Sequence, residues 1–288
     1  MRVQVVLNRT VSSVINNVGP NADVRLVVGK QIKRRSHEAT LISRVLQDKP
    51  RVRVHTMPAR EWAALASKPP GLRESALYRF ALRIATRATH TGPFILLEDD
   101  VLLSSIFHEY VQCTSAAVFA LEERVGKAAI VALYTPYETL YSLPTVPGSI
   151  SLRFIPPEFF YGSQAMLFTK ASASFAKTFF DRNVFRRTFD GLSDFVLKSI
   201  ASSDCGAQFM PTPEDHPPWG CANTASEDAP ALLLATIASI AQHQNASSAL
   251  QTPQHYAPDF FNDLSWEDRA DAARRCSLDW RRATTGSS

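Results

Sequence analysis

The chain alternates between short apolar runs and longer segments in which apolar residues recur at helical spacing. Short runs that are apolar throughout, or that alternate with polar residues, predict strands, and apolar positions at i, i+3, i+4 and i+7 predict helices. The predicted strands are 3–7, 24–28, 52–56, 94–97, 129–134, 150–155, 160–169 and 207–210. The predicted helices are 9–18, 36–46, 58–66, 72–88, 104–125, 170–180, 192–201 and 229–241.

The order of these elements favours an α/β fold. Strands that alternate with helices are typical of a mostly parallel sheet that carries helices on both faces. Beyond about residue 225 the alternation weakens, because helix 229–241 is followed by a Gln/Ser-rich stretch and an Arg/Asp-rich helix near 266–280. We therefore expect one domain over 1–225 and a C-terminal helical, partly disordered appendage over 226–288.

One predicted strand, 94–97, leads directly into three carboxylates, Glu98, Asp99 and Asp100. A continuous apolar run of this length fits a strand that is covered on both faces of the sheet. Ligands of open α/β sheets bind outside the carboxyl ends of the strands, so the three acids lie where a site is expected. A hard divalent ion such as Mg²⁺ or Mn²⁺ would compensate their mutual repulsion. A solvated turn without a ligand accounts for the same residues, and both interpretations stay open.

The composition is that of a globular protein with an adequate core. Hydrophobic residues make up 45% of the 288 residues and charged residues 20%, which is close to the average for globular domains. The net charge is only +4, and most basic residues are scattered. The one tight basic cluster, 30–35, has no aromatic or zinc-module pattern beside it, so we expect no nucleic-acid partner.

The cysteines and the membrane signals leave the compartment undecided. None of the four cysteines, Cys113, Cys205, Cys221 and Cys276, belongs to a Cys-x-x-Cys pair, so we expect no structural zinc. Two disulfides, one of them between Cys205 and Cys221, and four buried thiols of a cytosolic protein are both open. The sequence has no signal-peptide layout and no run near the roughly 20 apolar residues of a membrane span. Membrane association would then require a segment outside this chain.

The order of several segments resembles the nucleotide-sugar glycosyltransferases of GT-A fold. A long amphipathic helix, a strand, the carboxylate triplet 98–100 and a further helix follow one another as in that family, whose acidic motif holds a divalent ion on the donor pyrophosphate. Segment 159–170 resembles the glycine-led strand that enters a helix beside the donor sugar. Segment 191–197 is similar to the acidic helix start that carries the acceptor-activating carboxylate. The resemblance covers about residues 5–225 and implies a Rossmann-like, GT-A-like sheet.

Within this family the chain resembles the group of N-acetylglucosaminyltransferase IV and the GPI-anchor N-acetylgalactosamine side-chain transferase, the latter through segment 129–136. This resemblance implies a metal-dependent, inverting hexosyltransferase that moves a sugar, expected to be an N-acetylhexosamine, from a UDP-sugar to a glycan or glycolipid such as a GPI anchor. Mn²⁺ or Mg²⁺ is the implied cofactor. The Golgi or secretory lumen is the implied location, with a cytoplasmic one as the alternative.

The resemblance also implies roles for individual residues. The implied site consists of Asp100, Asp99 and His216 at the metal, Glu98, Asp99, Gly162, Ser163 and Gln164 at the donor, and Asp194 as catalytic base. Asp190, Glu214 and Asp215 are further candidates for the base. The usual Gln-His-x-Gly pattern is matched only loosely by 216–220, where Trp219 is a candidate for stacking on a sugar.

Structural roles account for several of these residues equally well. Asp194 fits an ordinary acid at a helix N-terminus, and Gly162 fits a turn. A non-catalytic GT-A-like protein that binds glycans or partners is the alternative function. A metal-dependent phosphoryl-transfer enzyme is a third option, but the chain has no Gly-x-x-x-x-Gly-Lys loop.

Overall fold

The computed structural model describes residues 2–29, 37–87, 92–134, 144, 146, 149, 152–155, 160, 163–183, 197, 231–236 and 239–243. Its helices are α1 Arg2–Asn17, α2 His37–Leu46, α3 Ala59–Ala64, α4 Pro70–Arg87, α5 Phe107–Val125 and α6 Lys170–Asn183. Its strands are β1 Val24–Val28, β2 Val52–Thr56, β3 Phe94–Leu97, β4 Val101–Leu103, β5 Ala128–Ala132, β6 Leu152–Phe154, β7 Ala165–Phe168, β8 Ala231–Thr236 and β9 Ala241–His243.

Five strands form the central sheet, in the order β3-β7-β5-β8-β6. β5 pairs with β8 in parallel, whereas β7 is antiparallel to both β3 and β5, and β6 is antiparallel to β8. Three of the five strands, β3, β5 and β8, therefore run in one direction. The sheet is mixed, and the predicted α/β class is confirmed.

Helices cover both faces of this sheet, as predicted. Successive residues of a strand point to opposite faces, so Val131 packs with the residues of α5, and Ile130 packs with those of α4 and α6. We call these two sides of the central sheet the α5 face and the α4/α6 face. Asp181 of α6 links α6 to α4, because its side chain accepts a hydrogen bond from Arg79 of α4. Lys177 of α6 donates to the same carboxylate.

The parallel pair β1–β2 forms a separate two-stranded sheet among the described residues. Met57, Leu65 and Phe80 pack together and join this unit to α4. On its other side α4 buries Leu82 completely against the central sheet. α4 is therefore packed on two sides, with Phe80 facing the β1–β2 unit and Leu82 facing the central sheet.

The predicted strand at 3–7 is wrong, because these residues form the first turns of α1. Their β-branched side chains favoured a strand, but this preference is only a fraction of a kcal/mol per residue. The helix ends at Asn17, and a Cβ at the following Gly19 would overlap the imidazole of His108 on α5. In this position His108 leaves no room for a larger residue at position 19.

The predicted helix at 229–241 is also wrong, because residues 231–236 form strand β8 and strand β9 begins at Ala241. All six residues of β8 are buried between β5 and β6. A fully buried strand is apolar throughout, so periodicity alone does not separate it from a buried helix. The central sheet therefore continues past residue 225, where we expected the first domain to end.

The other predicted elements that fall on described residues are found, most of them with ends that differ by a few residues. The larger differences are that α1 begins at Arg2 and not at residue 9, and that β7 begins at Ala165 and not at residue 160. Strand 207–210, helix 266–280 and, apart from residue 197, helix 192–201 lie outside the described residues. Cys113 of α5 is disulfide-bonded, and Cys205, Cys221 and Cys276 lie outside the described ranges. In the part of the chain that the structure describes, no helix is long and apolar enough to cross a membrane.

Candidate functional site

The carboxyl end of β3 brings together two segments that are about 65 residues apart in sequence. β3 and β7 pair in antiparallel register with Leu97 opposite Ala165, so the residue after β3 meets the residue before β7. The backbone N–H of Glu98 donates to the carbonyl oxygen of Gln164 at 2.9 Å. The hydroxyl of Ser163 donates to Glu98 Oε1 at 3.1 Å. Glu98, Ser163 and Gln164 therefore form one cluster, which we call the β3-edge cluster.

β3 itself is only half-buried, and it is the outer strand of the described sheet. Both of its faces are nevertheless packed as expected, since Ile95 and Leu97 lie against the core on the α5 face and Phe94 and Leu96 against the core on the α4/α6 face. An edge strand has a neighbour on one side only, so one side of β3 is not covered by another strand of the described sheet. This position leaves the three following carboxylates closer to solvent than a central strand would.

Asp99 and Asp100 follow Glu98 with different exposure. Asp99 is exposed, whereas Asp100 is half-buried and its Oδ1 atom is buried. The chain then enters the short strand β4, which pairs with β9. Ile240 links this pair to the central sheet, because its N–H donates to Leu133 and its carbonyl oxygen accepts from Ser104. The acids thus lie on a short connection that is held at both ends.

Helix α1 holds the backbone of this acidic connection through a stripe of polar side chains. Thr10 Oγ1 donates to the carbonyl oxygen of Asp99 at 2.7 Å. Ser13 Oγ accepts from the N–H of Leu103 at 2.8 Å and donates to its carbonyl oxygen at 3.3 Å. Asn17 Nδ2 donates to the same carbonyl oxygen at 3.2 Å. The three residues share one helix face, and they serve as hydrogen-bond partners for the open side of β4.

Tyr78 of α4 lies in the negative field of the β3-edge cluster. Burial is the main cause that raises its pKa well above the usual value, and the charges of Glu98 and Glu74 raise it further. Its ring stacks on Phe180 at a centroid distance of 5.5 Å and meets Phe168 edge-on at 6.5 Å. Sequence analysis missed Tyr78, although its position three residues after Ser75 and four before Leu82 fits one helix face.

The donor set fits a divalent ion only in part. No group of three or more His, Cys, Asp or Glu side chains within the described ranges is arranged to hold a metal ion. Mg²⁺ in nucleotide sites is commonly bound by one or two carboxylates together with substrate phosphates and water. Asp100, whose Oδ1 is buried, and the exposed Asp99 supply oxygen ligands of this kind. The residues therefore fit an ion that a phosphate ligand completes, and not a metal cage made by protein alone.

Several residues expected at the site lie outside the described residues. They are Gly162, Asp194 and His216, together with Asp190, Glu214, Asp215 and Trp219. Their roles stay predictions. Of the expected donor residues, Glu98, Ser163 and Gln164 are in contact, and Asp99 is joined to them through the chain.

A scan against models of known protein families found no match, and a search of the curated proteins found none either. The side chains at the site therefore have to indicate its chemistry. These are carboxylates at an accessible edge of an α/β sheet, beside hydroxyl and amide side chains. Such groups can bind a hard cation and hydrogen-bond a polyhydroxylated ligand.

Proposed function

We propose that the chain is a GT-A-like, metal-dependent glycosyltransferase. It transfers a sugar, expected to be an N-acetylhexosamine, from a UDP-sugar to a glycan or glycolipid acceptor with inversion. Mn²⁺ or Mg²⁺ is the proposed cofactor.

The observation that carries this proposal is the contact between Glu98 and Ser163–Gln164. The resemblance implies that both segments bind the donor, and these segments are in contact with each other. They are remote in sequence, so their meeting is not a consequence of chain connectivity. Their location at the carboxyl end of a sheet strand is where α/β folds bind nucleotides.

Exposure and contacts support the proposed roles of Glu98, Asp99 and Asp100, whereas the resemblance alone supports the role of Asp194. Asp100 and Asp99 hold the cation, whose charge stabilises the diphosphate leaving group. Glu98, oriented by Ser163, accepts hydrogen bonds from the ribose. Asp194 takes the proton of the acceptor hydroxyl as it attacks. The backbone contacts from Thr10 and Ser13 keep the acidic connection in one conformation.

The disulfide at Cys113 supports a secretory compartment for this reaction. Disulfides form and persist in the secretory lumen and are rare in the cytosol. The proposed location is therefore the Golgi lumen, where glycan and glycolipid acceptors are present. A membrane anchor would have to come from a segment other than the described helices.

Calorimetric titration of UDP tests the proposal directly. We expect UDP to bind in the presence of Mn²⁺ and to lose most of its affinity in EDTA. Asp100→Asn removes one charge at nearly constant side-chain volume. We expect this variant to weaken the Mn²⁺-dependent binding of UDP at least about tenfold, because an interaction with a charged group contributes about 1.5–3 kcal/mol. Transfer from the UDP-sugar should fall with it.

Asp48→Asn is the matched control, since Asp48 is an exposed aspartate on the β1–β2 side of the molecule. It should bind UDP as the wild type does. Equal affinity of Asp100→Asn and wild type would remove Asp100 from the site. Absence of UDP binding with and without Mn²⁺ would instead favour the non-catalytic glycan- or partner-binding protein.

A further inference from the structure

Three buried polar atoms, two on α4 and one at the residue before β7, have no hydrogen-bond partner among the described residues. They are Ser75 Oγ, Tyr78 Oη and Gln164 Oε1. Buried side-chain polar atoms are paired in the large majority of cases, because an unpaired one keeps its full desolvation penalty. A group of unpaired atoms in one place therefore requires an explanation, and a ligand that pairs with them is one.

The three side chains lie on the α4/α6 face of the sheet. Phe94 and Leu96 of β3 pack in the same cluster as Tyr78, and side chains alternate along a strand, so Glu98 follows on this face. Gln164 pairs with Glu98 through the backbone and precedes Met166 of the same cluster by two residues.

The positions on α4 agree with this placement. Leu72, Tyr78 and Leu82 pack towards the sheet, and Ser75 falls on their helical stripe at i+3 from Leu72 and i−3 from Tyr78. Ser75 is fully buried. Its hydroxyl therefore faces the side of α4 on which Tyr78 and the β3-edge cluster lie.

The charges nearby select the class of ligand. Glu98 and Glu74 are close enough to raise the pKa of the Tyr78 hydroxyl. Two carboxylates disfavour a phosphate at this place, since like charges repel strongly where water is excluded. The unpaired atoms include hydroxyl donors and an amide acceptor. They suit a neutral ligand that both donates and accepts hydrogen bonds.

We propose that Ser75, Tyr78 and Gln164 form, beside Glu98, a subsite for the hydroxyl groups of a sugar ring. This inference rests on the proposed function and adds α4 to the donor site. The ring is the ribose of the nucleotide or the transferred hexose, which share this chemistry. The phosphates would bind elsewhere, at the cation that Asp99 and Asp100 would hold.

Tyr78→Phe separates a ligand-binding hydroxyl from a structural one. The phenyl ring keeps its stacking on Phe180, and the substitution removes a buried hydroxyl without a partner in the described protein. We expect an unchanged or higher Tm, together with a threefold to tenfold loss of affinity, roughly one net hydrogen bond. Differential scanning calorimetry and titration with UDP-N-acetylglucosamine and Mn²⁺ measure the two effects. Ser75→Ala should behave in the same way.

Parallel titrations with UDP identify the ring. If Tyr78→Phe weakens both UDP and UDP-N-acetylglucosamine, the subsite takes the ribose. If it weakens only UDP-N-acetylglucosamine, the subsite takes the hexose. Either result supports the inference.

Thr114→Val is the control, because Thr114 on α5 also has a buried hydroxyl without a hydrogen-bond partner in the described residues, but it lies on the α5 face. The affinity of the Thr114→Val variant for UDP and for UDP-N-acetylglucosamine should match that of the wild type. A lower Tm of Tyr78→Phe would identify a structural hydroxyl and overturn the inference. Unchanged affinity of Tyr78→Phe, or an equal loss in Thr114→Val, would overturn it while the proposed function stands. If neither probe binds the wild type, both proposals fall.

Discussion

At the scale of single residues, Glu122 shows how one carboxylate joins three elements. It lies in the last turn of α5 and is half-buried. Its Oε1 atom accepts from the N–H of Ala129 at 2.7 Å and from Thr169 Oγ1 at 2.9 Å. Burial raises the pKa of Glu122 above its usual value of 4.5, and these two hydrogen bonds offset the rise only in part.

Glu122 therefore predicts a dependence of stability on pH. The pKa of Glu122 is higher in the folded than in the unfolded chain. Above pH 4.5 the folded state therefore binds more protons than the unfolded state. The free energy of unfolding then falls as the pH rises through the folded pKa. Glu122→Gln retains an oxygen for both hydrogen bonds and does not ionise. We expect thermal denaturation from about pH 4 to about pH 7 to show a smaller decline for this variant than for wild type.

Glu123→Gln is the control for this comparison, since Glu123 is the exposed neighbour. It should follow the wild-type pH dependence. If Glu122→Gln declines with pH as steeply as wild type, the ionisation of Glu122 does not contribute. Glu122→Ala should lose about 1–3 kcal/mol at any pH, because the N–H of Ala129 is left without its acceptor.

The candidate site was partly predictable at this scale. Glu98, Asp99 and Asp100 stand out in the sequence because three carboxylates directly follow an apolar run. Tyr78 and Ser75 do not stand out, because a tyrosine and a serine on an amphipathic helix are common. Their importance depends on which atoms surround them, and only the packing of α4 on β3 and β7 decides that.

At the scale of elements, helix α1 forms hydrogen bonds to β4 that a neighbouring strand would otherwise form. Ser13 meets both the N–H and the carbonyl oxygen of Leu103, which is how an adjacent strand would bond to β4. Ser13→Ala should lower the free energy of unfolding by about 1–3 kcal/mol, because it leaves the N–H of Leu103 without this acceptor. It should also weaken Mn²⁺-dependent UDP binding, since the acidic connection is then held less firmly.

Ser12→Ala tests whether the loss is specific to this contact. Ser12 is half-buried on the same helix, and no hydrogen bond of its side chain to the described residues is found. Urea denaturation of both variants provides the comparison. A loss of the same size in Ser12→Ala would show that helix α1, and not the contact to Leu103, causes the effect.

Helix and strand predictions failed where local preference and packing disagree. Val3, Val5 and Val6 have β-branched side chains, but they belong to helix α1. Further along this helix, Thr10 and Ser13 form hydrogen bonds to the backbone of Asp99 and Leu103. Residues 231–236 have helix-forming alanine and leucine, but they fill the position between β5 and β6. By contrast, α5 ends at the predicted residue, because Gly126 adopts a left-handed φ of 70° there.

At the scale of the whole molecule, β8 makes the central sheet depend on residues beyond 225. Leu234 is fully buried between β5 and β6. Leu234→Asp should cost more than about 4 kcal/mol or prevent folding, because it buries an unpaired charge. Val54→Asp is the matched control on the exposed side of β2, and it should stay folded. Circular dichroism and urea denaturation would distinguish them, and a stable Leu234→Asp variant would contradict the central position of β8.

By itself, the sequence determined the alternation of helices and strands, the α/β class and the position of the acidic triplet. These follow from periodicity and from runs of like residues, which are local properties of the chain. The tertiary structure decided the direction and order of the strands, the strand nature of 231–236 and the contact of Glu98 with Ser163 and Gln164. Those features depend on long-range pairing, in which burial outweighs local preferences of a fraction of a kcal/mol per residue.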